Sequence, residues 1–199
     1  MARPAKFTPD DILDATSAAV ASNGPAVTIA QVSAQIGVPV GSIYHRFSSR
    51  DHLMTSLWLR SIRRFHVGLL DTGRIPDPRE ALLAQAVHQP GFCRENPREA
   101  FVMSLHSQRQ LMTSCPQELR QDVADVNDDI WALGRDQMQA LYGTSQGHIA
   151  DVVALAIRQT PYGMIRTHIR NLQTIPVWLD DAVLAASAAI LDLAKPTSA

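Results

Sequence analysis

The sequence is poor in the residues that build metal sites and disulfide frameworks. It has two cysteines, Cys93 and Cys115, which form no Cys-x-x-Cys pair, and its seven histidines show no His-x-x-x-His spacing. Two cysteines cannot make a disulfide framework, and the usual spacing of zinc ligands is missing. We therefore expect no metal and no cofactor.

Long apolar runs are also missing, although 46% of the 199 residues are apolar. No stretch of about 18 uninterrupted apolar residues exists that would cross a membrane. The first residues lack the apolar segment of a signal peptide. The apolar content is still high enough to offset the entropy of ordering a chain of this length, without disulfide or metal. We expect a soluble cytoplasmic protein of one or two small domains.

The net charge is only −1, but it is unevenly distributed along the chain. Residues 1–66 contain seven Lys or Arg and four Asp, a net charge of +3, whereas the remainder carries −4. A basic N-terminal region on an acidic remainder is consistent with polyanion binding by that region alone. A difference of this size also arises by chance, so charge alone does not decide for nucleic acid.

Alternating runs of β-branched residues, the pattern of a half-buried strand, are absent, and apolar residues recur at helical spacing instead. The first helix begins after Thr8 and ends at Asn23-Gly24-Pro25. A fourth helix begins near residue 49, where either Ser48 with Asp51 or Ser49 alone supplies the N-cap. After a linker at Asp71–Pro78, five helices are predicted at 79–92, 97–113, 116–142, 148–170 and 177–194. The predicted fold class is all-α.

Two short helices around Gly37-Val38-Pro39 have the pattern of a helix-turn-helix. The first begins with the capping box Thr28-Ile-Ala-Gln31, whose outer residues satisfy each other's backbone amides. Gly37 supplies the left-handed conformation that ends this helix. The second helix, at about 40–46, begins with the small residues Val40-Gly41-Ser42 and their free amides, which suits a DNA major groove about 12 Å wide. Ile43 and Phe47 are expected to point into the core.

The segment Thr28–Leu53, TIAQVSAQIGVPVGSIYHRFSSRDHL, resembles the DNA-binding segment of the tetracycline-repressor (TetR/AcrR) family. The run from Gly37 to Phe47 is its most specific part, and the resemblance covers about the first 65 residues. Two positions depart from the commonest family pattern. Ser33 stands where alanine is usual, which still permits close helix crossing. His45-Arg46 replaces a frequent Tyr-His pair, which bears on the operator sequence and not on the fold.

The resemblance implies a helix-turn-helix DNA-binding domain at 1–52 and a helical ligand-binding and dimerisation domain at 53–199. It also implies a set of DNA-binding residues, with Tyr44 and Arg50 on phosphates and His45 in the groove: Thr28, Gln31, Val40, Gly41, Ser42, Tyr44, His45 and Arg50. Capping alone also explains Thr28 and Gln31, and Tyr44 would also cover the edge of a core. Arg3 and Lys6 form either an arm that reaches DNA or a solvated tail.

By the same resemblance, the helices after residue 52 hold a small-molecule effector. The ligand-binding candidates are Trp58, Phe65, Met103, His106, Trp131 and Met138. The same residue types build any helical core, so the core interpretation stands beside the pocket. His106 and Arg109 share a helix face, where they either orient a polar end of the ligand or lie on the surface.

A dimer interface is expected from the last two helices. They carry an apolar stripe that would pack with its copy into a four-helix bundle: Ile157, Ile165, Leu179, Val183, Ala186 and Ile190. The alternative is that this stripe faces its own subunit. Pro161 either kinks the first of these helices and shapes the interface or divides the segment in two.

Two other functions compete with DNA-binding regulation. Gly143-Thr144-Ser145-Gln146-Gly147 matches the nucleophile elbow of α/β-hydrolases, with Ser145 as nucleophile, but the elbow needs a preceding strand where the sequence predicts a helix. A helical module that binds proteins would not need a basic N-terminal region or the small residues at 40–42. We therefore predict a non-enzymatic, ligand-responsive transcriptional regulator, with repression favoured. It would bind double-stranded DNA at a near-palindromic operator as a homodimer and be released by a small molecule, without membrane association.

Overall fold

A computed structural model describes residues 7–194, which contain helices and no strand, so the all-α fold class is confirmed. Within these residues the α-helices are α1 (Pro9–Asn23), α2 (Ile29–Ile36), α3 (Val40–Tyr44), α4 (Arg50–Asp71), α5 (Pro78–Glu95), α6 (Pro97–Ser104), α7 (Gln108–Ser114), α8 (Arg120–Asp125), α9 (Asp128–Tyr142), α10 (His148–Ala154), α11 (Thr160–Arg170) and α12 (Trp178–Asp192). None of these helices is both long enough and apolar enough to cross a membrane.

Local capping residues fix where several of the helices begin. In each of three capping boxes, the hydroxyl of the first residue accepts a hydrogen bond from the backbone amide of the residue three positions later. The side chain of that later residue accepts a hydrogen bond from the backbone amide of the first. Ser49 accepts the His52 amide at 3.0 Å and caps α4, as one of the two sequence alternatives predicted. The three boxes are Thr8–Asp11 at α1, Thr28–Gln31 at α2 and Ser107–Gln110 at α7.

Two of the long helices predicted from the sequence are divided, so those predictions were wrong. The stretch 97–113 forms α6 and α7, because Ser107 is a helix N-cap and its backbone is extended. The stretch 116–142 forms a 3₁₀ turn at Gln117–Leu119, then α8 and α9, which begins after Asn127. The helical spacing of apolar residues alone did not reveal these breaks.

Pro161 changes the helical hydrogen-bond pattern without ending the helix. A π-helical segment at Leu155–Gln159 joins α10 to α11, and Pro161 stands in the first turn of α11. Proline has no N–H to donate to the carbonyl four residues earlier, so the carbonyl of Ile157 needs another donor. The Gln89 side chain supplies it at 2.6 Å, and the Ser187 hydroxyl donates to the adjacent Ala156 carbonyl at 2.8 Å.

The chain forms two compact units. The first contains the residues up to Ile62 and Arg98–Val126, around a core that includes Ile12, Ile43, Phe47, Leu57 and Trp58. The second contains Arg63–Pro97 and the residues from Asn127 onward, around Leu82, Ala86, Val153, Val183 and Leu191. The division between these units differs from the predicted domain boundary after residue 52. That boundary separates DNA binding from ligand binding and stays a prediction. Helix α4 contributes residues to both units.

Candidate functional site

The helix-turn-helix at residues 28–47 has the geometry that its sequence predicts. Gly37 ends α2 with φ +69° and ψ +33°, and its amide donates to the Ser33 carbonyl at 2.9 Å. The Ser33 hydroxyl donates to the carbonyl of Val38 across the turn. The serine that departs from the family pattern is therefore a hydrogen-bonding part of the turn between α2 and α3.

Helix α3 presents one face to the core and the other to solvent. Ile43 is fully buried and Phe47 is 5% exposed, as predicted, whereas Tyr44 is 49% exposed. Val40, Gly41 and His45 are also exposed, and Ser42 is half-buried. One expectation is corrected, because the Ser42 amide is not free but donates to the Pro39 carbonyl at 2.9 Å. The exposed face of α3 carries no lysine or arginine.

Thr28 and Gln31 lie exposed at the start of α2, where they cap each other. The Gln31 side-chain oxygen accepts the Thr28 amide at 2.7 Å, and the Thr28 hydroxyl accepts the Gln31 amide at 3.3 Å. The capping role is therefore confirmed, and the contact of both residues with DNA stays a prediction.

Arg50 has partners within its own unit. Its Nε donates to the Val27 carbonyl at 2.7 Å, and its terminal nitrogen donates to the carbonyl of Pro25. The guanidinium thus joins the start of α4 to the loop that precedes α2. A phosphate contact by Arg50 stays a prediction, and any such contact would be made by a side chain already fixed by these two carbonyls.

Sequence reasoning gave no structural role to Arg46, and the structure does. One terminal nitrogen donates to the Ser42 carbonyl at 3.1 Å and the other to the Phe7 carbonyl at 2.9 Å. Arg46 therefore fixes the residue before α1 against α3. No sequence signal identifies such a bond, since its acceptor is a backbone carbonyl 39 residues away. Arg3 and Lys6 lie outside the described residues.

A cavity of about 490 Å³ lies in the second unit, between residues of α4, α5, α9 and α10 with the π segment. Three of the six ligand-binding candidates line it, namely Phe65, Trp131 and Met138. Its size falls within the range of small-molecule sites. The residue types of Trp131 and Met138, which stand seven positions apart on α9, are the sequence signal that identified this wall.

The other three ligand-binding candidates lie in the first unit and do not line this cavity. Trp58 is 3% exposed in the core, and its indole N–H donates to the His106 carbonyl at 3.1 Å. Met103 is half-buried on α6. His106 borders a smaller recess of about 170 Å³ with Arg50, and burial together with the Arg50 charge lowers the pKa of its ring. Arg109 is exposed.

Several residues of the cavity were not among the candidates. Arg135, Arg158, Gln85 and Gln89 bring polar groups to its wall. The Gln85 amide donates to the buried side-chain oxygen of Gln137 at 2.5 Å. Arg135 follows Trp131 by four residues on α9, so the same helical face would have identified it. The sequence pattern for the pocket consists of aromatic and methionine side chains with His106 and Arg109 as its polar groups, so it does not single out these four residues.

Phe65 is supported by an aromatic cluster on α5. Its ring stacks on His88 with centroids 5.0 Å apart and meets Phe92 edge-on at 5.2 Å. The His88 Nε2 donates to the Phe65 carbonyl at 2.9 Å. Gly68 makes this possible, because a Cβ there would lie 2.2 Å from the His88 ring.

The apolar stripe predicted for dimerisation is largely buried within its own subunit. Ile165, Leu179 and Val183 are buried, and Val183 and Ile157 belong to the core of the second unit. The alternative interpretation of this stripe therefore describes it better. Other apolar side chains remain exposed on and beside α12, including Val177, Trp178, Leu184 and Leu193.

Ser145 of the hydrolase-like motif lies in the loop between α9 and α10. Gly143, in the left-handed conformation at φ +73°, ends α9 immediately before it. A helix therefore stands where the nucleophile elbow requires a strand. Among residues 7–194, no group of three His, Cys, Asp or Glu is placed to hold a metal ion.

Comparison with known proteins identifies the N-terminal part of the chain and the fold of the whole. Residues 12–57 match the family model of bacterial regulatory proteins, tetR family. This segment runs from α1 through the helix-turn-helix into α4. The search of curated proteins gives no match.

Solved structures of transcriptional regulators are similar to the chain over nearly its full length. PfmR, a TetR-family regulator from Thermus thermophilus, has 19% identity and a TM-score of 0.66, with 91% of this chain and 97% of that chain covered. KstR2 of Mycobacterium tuberculosis has 16% identity and a TM-score of 0.65, with coverages of 94% and 95%. FadR from Bacillus subtilis, solved in complex with stearoyl-CoA, has 20% identity and a TM-score of 0.59, with coverages of 92% and 95%. Residues 12–57 are thus similar to the tetR family of bacterial regulatory proteins, and the solved structures show that the chain shares the fold of such regulators over nearly its full length.

Proposed function

We propose that the protein is a ligand-responsive repressor that binds a near-palindromic DNA operator as a homodimer and is released by a small molecule. The observation that carries this proposal is that α3 has one buried and one exposed face: Ile43 is fully buried and its neighbour Tyr44 is 49% exposed. A helix with this arrangement is anchored by one face and offers the other to a major groove. The resemblance to tetR-family regulators supports the same interpretation.

The DNA interface would consist of α3 and the start of α2. Val40 and Gly41 leave room for base edges, His45 would lie in the groove, and the Tyr44 hydroxyl would donate to a phosphate. Thr28 and Gln31 would reach the DNA backbone next to these residues. Such uncharged contacts position the protein and contribute little to counterion release.

Dimerisation would use the exposed apolar residues of α12 rather than the buried stripe. Val177 and Trp178 are 71% and 66% exposed, and Leu184 and Leu193 are also exposed. Val177 and Leu184 stand seven positions apart and so share one face at α12, and apolar side chains exposed on one face are typical of an interface. Leu184→Glu should reduce the mass measured by light scattering from two chains to one. Val67→Glu, at an exposed apolar position on α4, is the matched control and should remain a dimer.

The effector would bind in the cavity of the second unit. Phe65, His66 and Leu69 of α4 line that cavity, while Arg50 begins the same helix in the first unit. A ligand shifts DNA affinity only if it binds the DNA-competent and released states unequally. The stearoyl-CoA complex of Bacillus subtilis FadR supports a small-molecule site on this fold. We propose that α4 couples the cavity to the helix-turn-helix.

Selection of bound fragments from a random pool of duplex DNA tests the proposal. The purified protein should enrich an inverted repeat, and Tyr44→Ala should abolish the enrichment. Recovery of single half-sites would contradict the homodimer, and recovery of no duplex would contradict DNA binding. Effector release is tested by adding candidate ligands to the recovered duplex complex.

A further inference from the structure

We propose that the cavity of the second unit takes an amphipathic organic anion, whose acidic group binds between Arg135 and Arg158 and whose apolar body lies against the inner walls. The inference names the class of effector and so rests on the proposed function. Binding itself is measured on the protein without DNA.

The charged side chains of the cavity wall are positive. Arg135 of α9 and Arg158 of the π segment line it, and no Asp or Glu is among its described lining residues. Neither arginine makes an ion pair or hydrogen bond with another described residue. By contrast, Arg79 and Arg94 of the same unit are paired with Asp192 and Asp180. The two cavity arginines are therefore available to an anion from outside the chain.

The neutral amide donors of the cavity wall are already engaged. The Gln85 amide donates to Gln137, and the Gln89 amide donates to the Ile157 carbonyl. The guanidinium groups remain as charged donors, and each carries five N–H groups in a fork that matches a carboxylate or a phosphate. Both arginines are exposed, so an anionic group gains charge-assisted hydrogen bonds there that an uncharged polar ligand does not.

The remainder of the wall is apolar and suits a chain or ring system. Phe65, Trp131 and Met138 lie there with Leu69, Ile130 and Val153. Gly134 lies between Trp131 and Met138 in sequence on α9, and a Cβ there would meet no atom within 4 Å. The missing side chain leaves space at the middle of this wall. An apolar body that fills it gains the free energy of removing both surfaces from water.

Calorimetric titration of the full chain with four probes of equal chain length tests the inference. The probes are decanoate, decyl phosphate, decan-1-ol and decyltrimethylammonium, each below its aggregation concentration. Decanoate or decyl phosphate should bind at least about tenfold more tightly than the alcohol or the cation, as expected for charge-assisted hydrogen bonds. The relative affinities of the two anions distinguish a carboxylate from a phosphate head group, and either supports the inference.

Three arginine variants locate the head group. Arg135→Gln and Arg158→Gln should each weaken anion binding about tenfold and leave decan-1-ol binding unchanged. Arg166→Gln, at an exposed arginine of α11 that does not line the cavity, is the matched control and should bind as the wild type does. Gly134→Leu should weaken all probes, because it fills the apolar part of the cavity.

Three results would overturn the inference: decan-1-ol or the cation binds as tightly as the anions, both arginine variants bind anions unchanged, or no probe binds. The proposed function fails separately. If an anion binds in an arginine-dependent manner but the recovered duplex stays bound, the inference holds and ligand release is wrong. If the inverted repeat is bound and no anion binds, only the inference is wrong.

Discussion

The side-chain amide of Gln89 donates to the backbone carbonyl of Ile157, which lies four residues before Pro161, at 2.6 Å. In a regular helix the residue at position 161 would donate its N–H to this carbonyl, and proline has none. The glutamine therefore compensates for the proline. It does so beside the cavity of the second unit, where both Gln89 and Ile157 form part of the wall.

This relationship predicts a non-additive pair of substitutions. Gln89→Leu should lower the free energy of unfolding by about 1–3 kcal/mol, because a partly buried carbonyl loses its donor. In a Pro161→Ala background, the new backbone N–H donates to the Ile157 carbonyl. Gln89→Leu should then lower the free energy of unfolding by less than it does in the wild type. Chemical denaturation of the four proteins of this cycle measures the difference. Gln159→Leu, at an exposed residue of the π segment, is the control. If Gln89→Leu lowers the free energy of unfolding equally in the wild type and in Pro161→Ala, the glutamine does not compensate for the proline.

The Ser33 hydroxyl gives a second prediction, within the helix-turn-helix. Ser33→Ala removes the bond to the Val38 carbonyl and should lower stability by about 1 kcal/mol. Gln35→Ala, at an exposed position of α2, should change stability much less. Thermal denaturation measures both. If Ser33→Ala were as stable as the wild type, the hydroxyl would contribute nothing net to the turn.

Arg50 should affect the fold even in the absence of DNA. Arg50→Gln removes the donors that hold the Pro25 and Val27 carbonyls, so the DNA-free protein should lose about 1–3 kcal/mol of stability. Arg109→Gln, at an exposed arginine of the first unit, should have little effect. Denaturation without DNA measures this directly. An Arg50→Gln protein of wild-type stability with weakened DNA binding would instead assign Arg50 to phosphate contact alone.

The two cysteines should differ in reactivity. Burial raises the pKa of the Cys93 thiol from 9.0 to about 12, whereas Cys115 is half-buried. At pH 8 a thiol reagent should modify one cysteine quickly in the native protein and both after denaturation, and Cys115→Ser should remove the fast phase. The unfolded chain loses the Cys93 proton first as pH rises, so this thiol's contribution to stability is complete below about pH 9 and lost towards pH 12. Fast modification of Cys93 would contradict its burial.

Features that depend on neighbours in sequence were predictable. The capping pairs Thr8–Asp11 and Thr28–Gln31 join residues three positions apart, and Gly37 is the residue type that most readily adopts the left-handed conformation. The same signal at Ser107–Gln110 marks the start of α7, where the sequence predicted one helix over 97–113 from apolar spacing. A capping pair is therefore a better guide to a helix boundary than apolar spacing.

Features that depend on distant backbone atoms were not predictable. The carbonyl acceptors of Arg46 and Arg50 lie 39 and 23 residues away and carry no side-chain signature. Trp58 was a plausible pocket residue by type, and only the packing of α4 places it in the core of the first unit. Which face of a helix borders a cavity is a property of tertiary packing, so residue type alone could not separate Trp58 from Trp131.

The most direct test of the account is the affinity of Tyr44→Phe for the selected operator duplex. A hydroxyl that donates to a phosphate should, when removed, weaken binding by about tenfold, and the salt dependence should change little because the lost donor is uncharged. Tyr162→Phe makes the same substitution on α11 and should bind as the wild type does. Fluorescence anisotropy at several salt concentrations measures the wild type and the variants Tyr44→Phe, Tyr44→Ala and Tyr162→Phe. If Tyr44→Phe and Tyr44→Ala both bind with wild-type affinity while remaining folded, α3 is not the element that contacts DNA.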